Sequence, residues 1–394
     1  MAEGLTADGL ARLHAVAERH VGDQQLPGLV ALVARGGGDS GDGQVHVEAL
    51  GQLAVGGAPV ARDSLFRIAS TTKPITAAAT LTLVDQGVIA LDEPVDRLLP
   101  ELSGRQVLRR LDGPLDDTTP AVRAITVRDL LTFTFGFGAA VEMFLTDAPW
   151  PVMEATDALR LGTLGPPEPG TQPDPDTWIA GLGTLPLLAQ PGERWLYNTG
   201  ASVLGVLIAR VSGLSYPGFL RSRIFEPLGM RDTAFFTTDT GRLATSYRGT
   251  PDGLVVWDPP EGAWSRPPAF ADGAAGLVST VDDLLAFARM LLRGGEPLLS
   301  ADSVRAMTSD QLTPEQKARG GLGPDFFAGG RSWGFCQAVN ANGCYGWDGG
   351  LGTSWLVDPG RDLVVIVLTQ RMFDGAATPQ AHEDIRAAAY AALG

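Results

Sequence analysis

The sequence predicts an α/β fold: an antiparallel sheet flanked by N- and C-terminal helices, with an inserted, mostly helical domain. Three observations predict it. Apolar residues recur at helical spacing at both ends of the chain. Short strand-like segments occur near residue 30 and again after residue 330, the later ones joined by short connections that favour an antiparallel meander. Between them, from about residue 91, the pattern turns helical and irregular. Residues 1–90 and 270–394 are accordingly expected to form the sheet domain, and residues 91–269 the helical insertion.

Taken in order, Leu5, Leu10, Leu13, Val16 and Val21 mark a first helix. Residues 29–33 and 45–53 read as two strands around a glycine-rich turn. Residues 70–85 form a helix carrying Ile75, Ala78, Ala79, Leu81 and Leu83, with Pro74 compatible with its first turn. The Pro-rich, acidic stretch at 165–176 reads as a solvated loop. A helix capped by Ser279 or Thr280 runs through Asp282 and Asp283 to Leu292. Strands follow at 332–339, 344–347, 353–357 and 363–368, and a helix at about 381–393 closes the fold.

The chain has 394 residues, 44% of them apolar, enough to bury a large core without disulfides or metal. Its net charge of −15 opposes binding to nucleic acid or to an anionic membrane surface. The N-terminal sequence MAEGLTADGL has neither a basic segment nor an apolar one, which predicts a cytoplasmic protein, and no apolar run is long enough to span a bilayer. Cys336 and Cys344, the only cysteines, read as a free buried pair with no metal-ligand spacing.

Ser70 and Lys73 stand three residues apart on a helix, which stacks their side chains on one face, where an amine can take the hydroxyl proton. Lysine usage sharpens the point. Lys73 and Lys317 are the only lysines beside 28 arginines, and lysine, unlike arginine, can lose its proton when buried. The four histidines, His14, His20, His46 and His382, lie away from any candidate nucleophile and give little support to a Ser-His-Asp triad. The match Gly330-Arg331-Ser332-Trp333-Gly334 lacks the following helix that a nucleophile elbow requires.

Two further segments complete the set. Tyr197 ends the turn Pro191-Gly192-Glu193-Arg194-Trp195-Leu196 ahead of a helix; alone it reads as a packed aromatic, but beside a lysine it can transfer protons. Trp347-Asp348-Gly349-Gly350-Leu351-Gly352-Thr353 alone reads as a glycine-rich turn, but the backbone N–H groups of Gly350 and Ser70 are candidates for an oxyanion hole.

In order, Phe66-Arg67-Ile68-Ala69-Ser70-Thr71-Thr72-Lys73, then Tyr197-Asn198-Thr199, then Trp347-Asp348-Gly349 resemble the serine β-lactamase and penicillin-binding protein superfamily, closest to the class C β-lactamase-like (family VIII) carboxylesterases. Leu130-Leu131-Thr132-Phe133-Thr134 and Gly276-Leu277-Val278-Ser279-Thr280 extend the resemblance along nearly the whole chain. It implies a β-lactamase-like fold, acylation of Ser70, acid-base work shared by Lys73 and Tyr197, and no metal or organic cofactor. Substrate contacts are implied for Trp347, Gly349, Gly350 and Asn198.

The departures bear on the substrate. Trp347 stands where β-lactamases carry a lysine that holds the lactam carboxylate, which favours a neutral, apolar ester. Asn198 comes one place earlier than the family's amide, and Phe133 replaces its histidine; Arg371 could supply a compensating cation. The expected activity is hydrolysis of short-chain, small-molecule esters. The alternatives are a β-lactamase or D-Ala-D-Ala peptidase-like amide hydrolase, and a non-catalytic binding protein of the same fold.

Overall fold

The structure is a computed structural model describing residues 4–36, 43–146, 150–162, 165–323 and 325–394. Helix α1 (Ala7–His20) begins at Thr6, whose side chain accepts the Gly9 N–H. It leads into strands β1 (Gly28–Arg35) and β2 (Gln44–Gly51); the glycine-rich connection at residues 37–42 lies outside the described residues. Helix α2 (Thr72–Asp85) is buried along nearly its whole length. Within the insertion lies α3 (Thr199–Ser212), and after it comes α4 (Val281–Leu292), capped by the Thr280 side chain on Asp283 N–H.

The chain then forms β3 (Arg331–Trp333), β4 (Ala338–Asn340), β5 (Tyr345–Gly349), β6 (Thr353–Asp358) and β7 (Leu363–Thr369), and ends in α5 (Gln380–Ala391). The seven strands lie in the order β2-β1-β7-β6-β5-β4-β3, every neighbouring pair antiparallel. This is the β-lactamase-like arrangement that the sequence motifs imply.

Both faces of the central strands are covered, and alternation along the pleat sorts their side chains. Leu29, Ala31 and Val33 of β1 with Val365 and Val367 of β7 pack on the terminal helices through Leu13, Ala17, Ile385 and Ala389. Val30, Leu32, Val364, Ile366 and Leu368 face the other way, into the larger cluster that also holds α2, α3 and α4. Two-sided burial is why both strands read as continuous apolar runs. Gly9 permits the close crossing of the terminal helices, since a Cβ there would overlap the backbone of Ala392.

Three expectations need correction. Residues 332–339 are two strands, not one, because the chain reverses between Trp333 and Ala338. Cys336 there takes a φ of +56° and gives its N–H to the Leu131 carbonyl, while Gly334 N–H closes the turn on Gln337. The loop predicted at 165–176 ends two residues early: it runs through Asp174, whose side chain accepts the Asp176 and Thr177 N–H groups and starts a helix, Pro175–Thr184, with proline in its first turn. Ser70 precedes α2, in a separate one-turn 3₁₀ segment, Ala69–Thr71. The inserted stretch also contains two hairpins, Gln106–Leu108 with Thr118–Pro120 and Ser246–Thr250 with Gly253–Asp258. Cys336 and Cys344 are both free and buried. Among the described residues no single helix is long and apolar enough to cross a membrane.

Candidate active site

The turn that carries Ser70 is fastened on three sides. Just before it, Phe66–Arg67 pairs with Val278–Ser279, and the Ile68 N–H reaches the Leu277 carbonyl at 2.9 Å. The buried Arg67 guanidinium is paired with the Asp258 carboxylate and also donates to the Ala244 and Pro259 carbonyls. From β6, Thr353 Oγ1 donates to the Ile68 carbonyl at 2.9 Å and meets Thr71 Oγ1 at 3.2 Å. Ala69 is thereby held at φ +43°, a conformation that costs a non-glycine residue about 1–3 kcal/mol. Asn198 (φ +84°), Phe133 (φ +61°) and Cys336 (φ +56°) adjoin the same site, so left-handed strain concentrates here.

Lys73 is fully buried in the first turn of α2. Its Nζ donates to Ser70 Oγ and to the Ala274 carbonyl, each at 2.8 Å. Burial pulls its ammonium down to about 7, against the opposing attraction of the Asp272 carboxylate. Asp272 is itself buried, which raises its carboxyl, and it accepts the Ser202 hydroxyl at 2.7 Å and the Ala274 N–H at 2.9 Å. The Asp272–Ala274 turn is what presents the Ala274 carbonyl to Lys73. Gly273 at its centre has no room for a Cβ against the Ala201 carbonyl.

Tyr197 reaches Ser70 from the other side, its hydroxyl donating to Ser70 Oγ at 2.9 Å. The indole N–H of Trp347 donates to the same tyrosine oxygen at 2.8 Å. Burial raises the Tyr197 pKa, with the two hydrogen bonds acting in the opposite sense, so the phenol is neutral near pH 7. Its ring is clamped by aromatics: Phe133 edge-on at 5.9 Å, Trp195 stacked at 5.6 Å and Trp333 edge-on at 6.3 Å. Phe133, at the family's histidine position, is thus a packing partner of the tyrosine. The Lys73 amine lies 4.6 Å from the same ring centroid.

Ser70 opens into a cavity of about 420 Å³ lined also by Tyr197, Asn198, Trp347 and Gly350, with Leu322, Leu351, Met372 and Phe373 among its apolar walls. Gly349 does not line it. A Cβ there would overlap the Ile68 carbonyl and the Thr353 hydroxyl, so this glycine lets β5 close on the Ser70 turn and sets Gly350 at the cavity wall. Gly165, Pro166 and Pro167 also reach the wall, although they read from sequence as solvated.

Arg371 supplies no free cation, being paired with Asp374. Ser332 donates to Asp310, on an edge strand rather than on an elbow. His382 Nε2–H donates to the Gly352 carbonyl at 3.2 Å, and burial lowers the imidazole pKa to about 4. Among the described residues no group of His, Cys, Asp or Glu side chains is gathered to hold a metal ion. The sequence reading missed Asp272, which belongs to no motif; its only signal was the Asp-Gly turn just before the Gly276-Leu277 segment.

Residues 13–390 match the family model named Beta-lactamase. Protein Rv1367c of Mycobacterium tuberculosis is 39% identical over 339 residues, covering 81% of this chain and 80% of that protein. Esterase EstB of Burkholderia gladioli is 31% identical over 404 residues, covering 94% of this chain and 92% of the esterase. The solved structure of EstCE1, described as a hydrolase with promiscuous acyltransferase activity, superposes with a TM-score of 0.81 at 26% identity, covering 97% of this chain and 99% of that one.

Proposed function

The chain belongs to the β-lactamase family and is a serine hydrolase; from that premise we propose that it is a carboxylesterase hydrolysing short-chain esters through an acyl-enzyme on Ser70. One observation carries the reading: Ser70 Oγ lies 2.8 Å from the Lys73 amine and 2.9 Å from the Tyr197 hydroxyl, at the floor of a cavity with room for a small ester.

Lys73 is the base. While charged it donates to Ser70 and holds the hydroxyl inert; once neutral its lone pair accepts the serine proton. Ser70 Oγ then bonds to the ester carbonyl carbon, and the carbonyl oxygen, now negative, is met by the Ser70 and Gly350 N–H groups. Collapse breaks the bond to the alcohol oxygen, which takes the Tyr197 proton, and the Lys73 ammonium reprotonates the tyrosine. Through that transfer the Trp347 N–H stabilises the transient phenolate. In the second half a water gives its proton to Lys73 and adds to the acyl carbon. Ser70 leaves as the hydroxyl by the same tyrosine route, releasing the acid and restoring the site.

The reacting end of the cavity favours an uncharged group, since Trp347 places a neutral N–H where β-lactamases carry a lysine. Asn198 also lines the wall of this cavity. The decisive comparison is wild type against Ser70→Ala on p-nitrophenyl butyrate and nitrocefin, following initial rates and covalent mass. Ester turnover and acyl adduct that vanish together in Ser70→Ala, with negligible nitrocefin cleavage, establish the esterase. Fast nitrocefin cleavage makes the protein a β-lactamase, and turnover surviving in Ser70→Ala removes Ser70 as nucleophile.

A further inference from the structure

The cavity wall holds two arginines in different situations. Arg386 is paired with the Asp348 carboxylate and also donates to Ser354. Arg331, at the start of the edge strand β3, is exposed and has no carboxylate partner among the described residues. Its guanidinium lies over the Phe326 ring, 5.5 Å from the centroid. Phe326 stacks on Trp195 at 5.1 Å and meets Trp347 edge-on at 6.1 Å, so the cation is two aromatic contacts from the indole that holds Tyr197. A guanidinium held over an aromatic ring can still offer N–H donors to a planar anion.

The chain carries 45 acidic side chains against 30 basic ones, yet among the described residues none is set on this cation. We infer that the cavity takes esters bearing a carboxylate remote from the scissile carbonyl, the carboxylate bound by Arg331 while the neutral ester group sits at Ser70. This rests on the esterase reading above. It separates two demands on one substrate: an uncharged reacting end beside Trp347, and an anionic end at the rim where water lowers the cost of placing charge.

Mono-p-nitrophenyl adipate and p-nitrophenyl hexanoate differ in little but the terminal carboxylate, so the ratio of their kcat/KM values reports the rim contact. In Arg331→Gln that ratio falls about tenfold, the factor one charge-assisted hydrogen-bonded pair supplies, and it falls further in Arg331→Glu. A ratio unchanged in both variants, or equal losses on both esters, overturns the inference while leaving the esterase standing. Calorimetric binding of the adipate monoester to Ser70→Ala, with and without Arg331→Glu, tests the contact without turnover. Binding that weakens with the charge reversal supports the anion site even if wild type cleaves neither ester, whereas binding indifferent to it overturns the site.

Discussion

Lys73 owes its chemistry to the residues around it. Desolvation holds its amine at about 7, far below the ordinary lysine range, so the neutral form that can accept a proton is abundant at mildly alkaline pH. kcat/KM for p-nitrophenyl butyrate is therefore expected to rise with pH through about 7 and level off above it. Asp272 pulls the other way, so Asp272→Asn moves that midpoint to lower pH; a midpoint unmoved or shifted upward in a pH–rate profile contradicts the pairing. The same depression has a stability consequence. The unfolded chain binds a proton on this amine up to about pH 10, whereas the folded one releases it near 7. Stability from this group thus grows between those values and is lost below them. Lys73→Met is expected to raise Tm at pH 6 while ending turnover, and Lys73→Arg to end turnover because a guanidinium keeps its proton. Trp347→Phe deletes the donor to Tyr197 and should cost about tenfold in kcat, near 1–2 kcal/mol, with the ring packing kept.

At the scale of elements, catalysis depends on how closely β5 and the Ser70 turn approach each other. Gly349 is the contact point, where even a methyl group would meet the Ile68 carbonyl. Gly349→Ala should displace β5, carrying Trp347 and Gly350 out of register with Ser70. Since a misplacement near 1 Å can cost ~10²-fold, kcat is expected to fall by about that factor, with a modest loss of Tm. A near-normal kcat in a folded Gly349→Ala protein would show that this spacing does not matter. The terminal helix α5 carries a different sensitivity. His382 is buried and neutral down to about pH 4, whereas in the unfolded chain it charges near its ordinary 6.5. Folding stability attached to it is full above 6.5 and declines as pH falls toward 4. His382→Asn should flatten the dependence of Tm on pH across that window.

At the scale of the whole molecule, the large buried cluster draws on both the sheet segments and the inserted helices, through Val30, Ile366, Ile75, Trp178 and Leu204 among others. A shared core of that kind predicts one cooperative thermal transition, with calorimetric and van't Hoff enthalpies in agreement. Two resolved transitions would instead separate the insertion at 91–269 as its own folding unit. The proposed active site lies where these segments meet: Ser70 and Lys73 precede and begin α2, Tyr197 leads into α3, and Trp347 comes from β5.

How much of this was legible beforehand follows from which features are local. Local pattern locates α1 and α5, which each bury one face, and β1 and β7, which read as continuous apolar runs because both of their faces are buried. The Ser70, Lys73 pair is equally local, being three residues apart across the junction of the 3₁₀ segment and α2, and the three ordered motifs carry the family resemblance. The break between Trp333 and Ala338 was invisible, because the Leu131 carbonyl that receives the Cys336 N–H is contributed by a segment some two hundred residues away. Asp272 was missed for the same reason: its effect on Lys73 exists only once the Asp272–Ala274 turn packs against α2. The sequence by itself determined the fold class and singled out Ser70, Lys73 and Tyr197 as the candidate reacting groups. Tertiary structure alone decided the protonation of Lys73, the hydrogen bond from the Trp347 N–H to Tyr197, and the placing of Arg331 at the rim. Each of those depends on burial and on distances between segments remote in the chain, which no local pattern records.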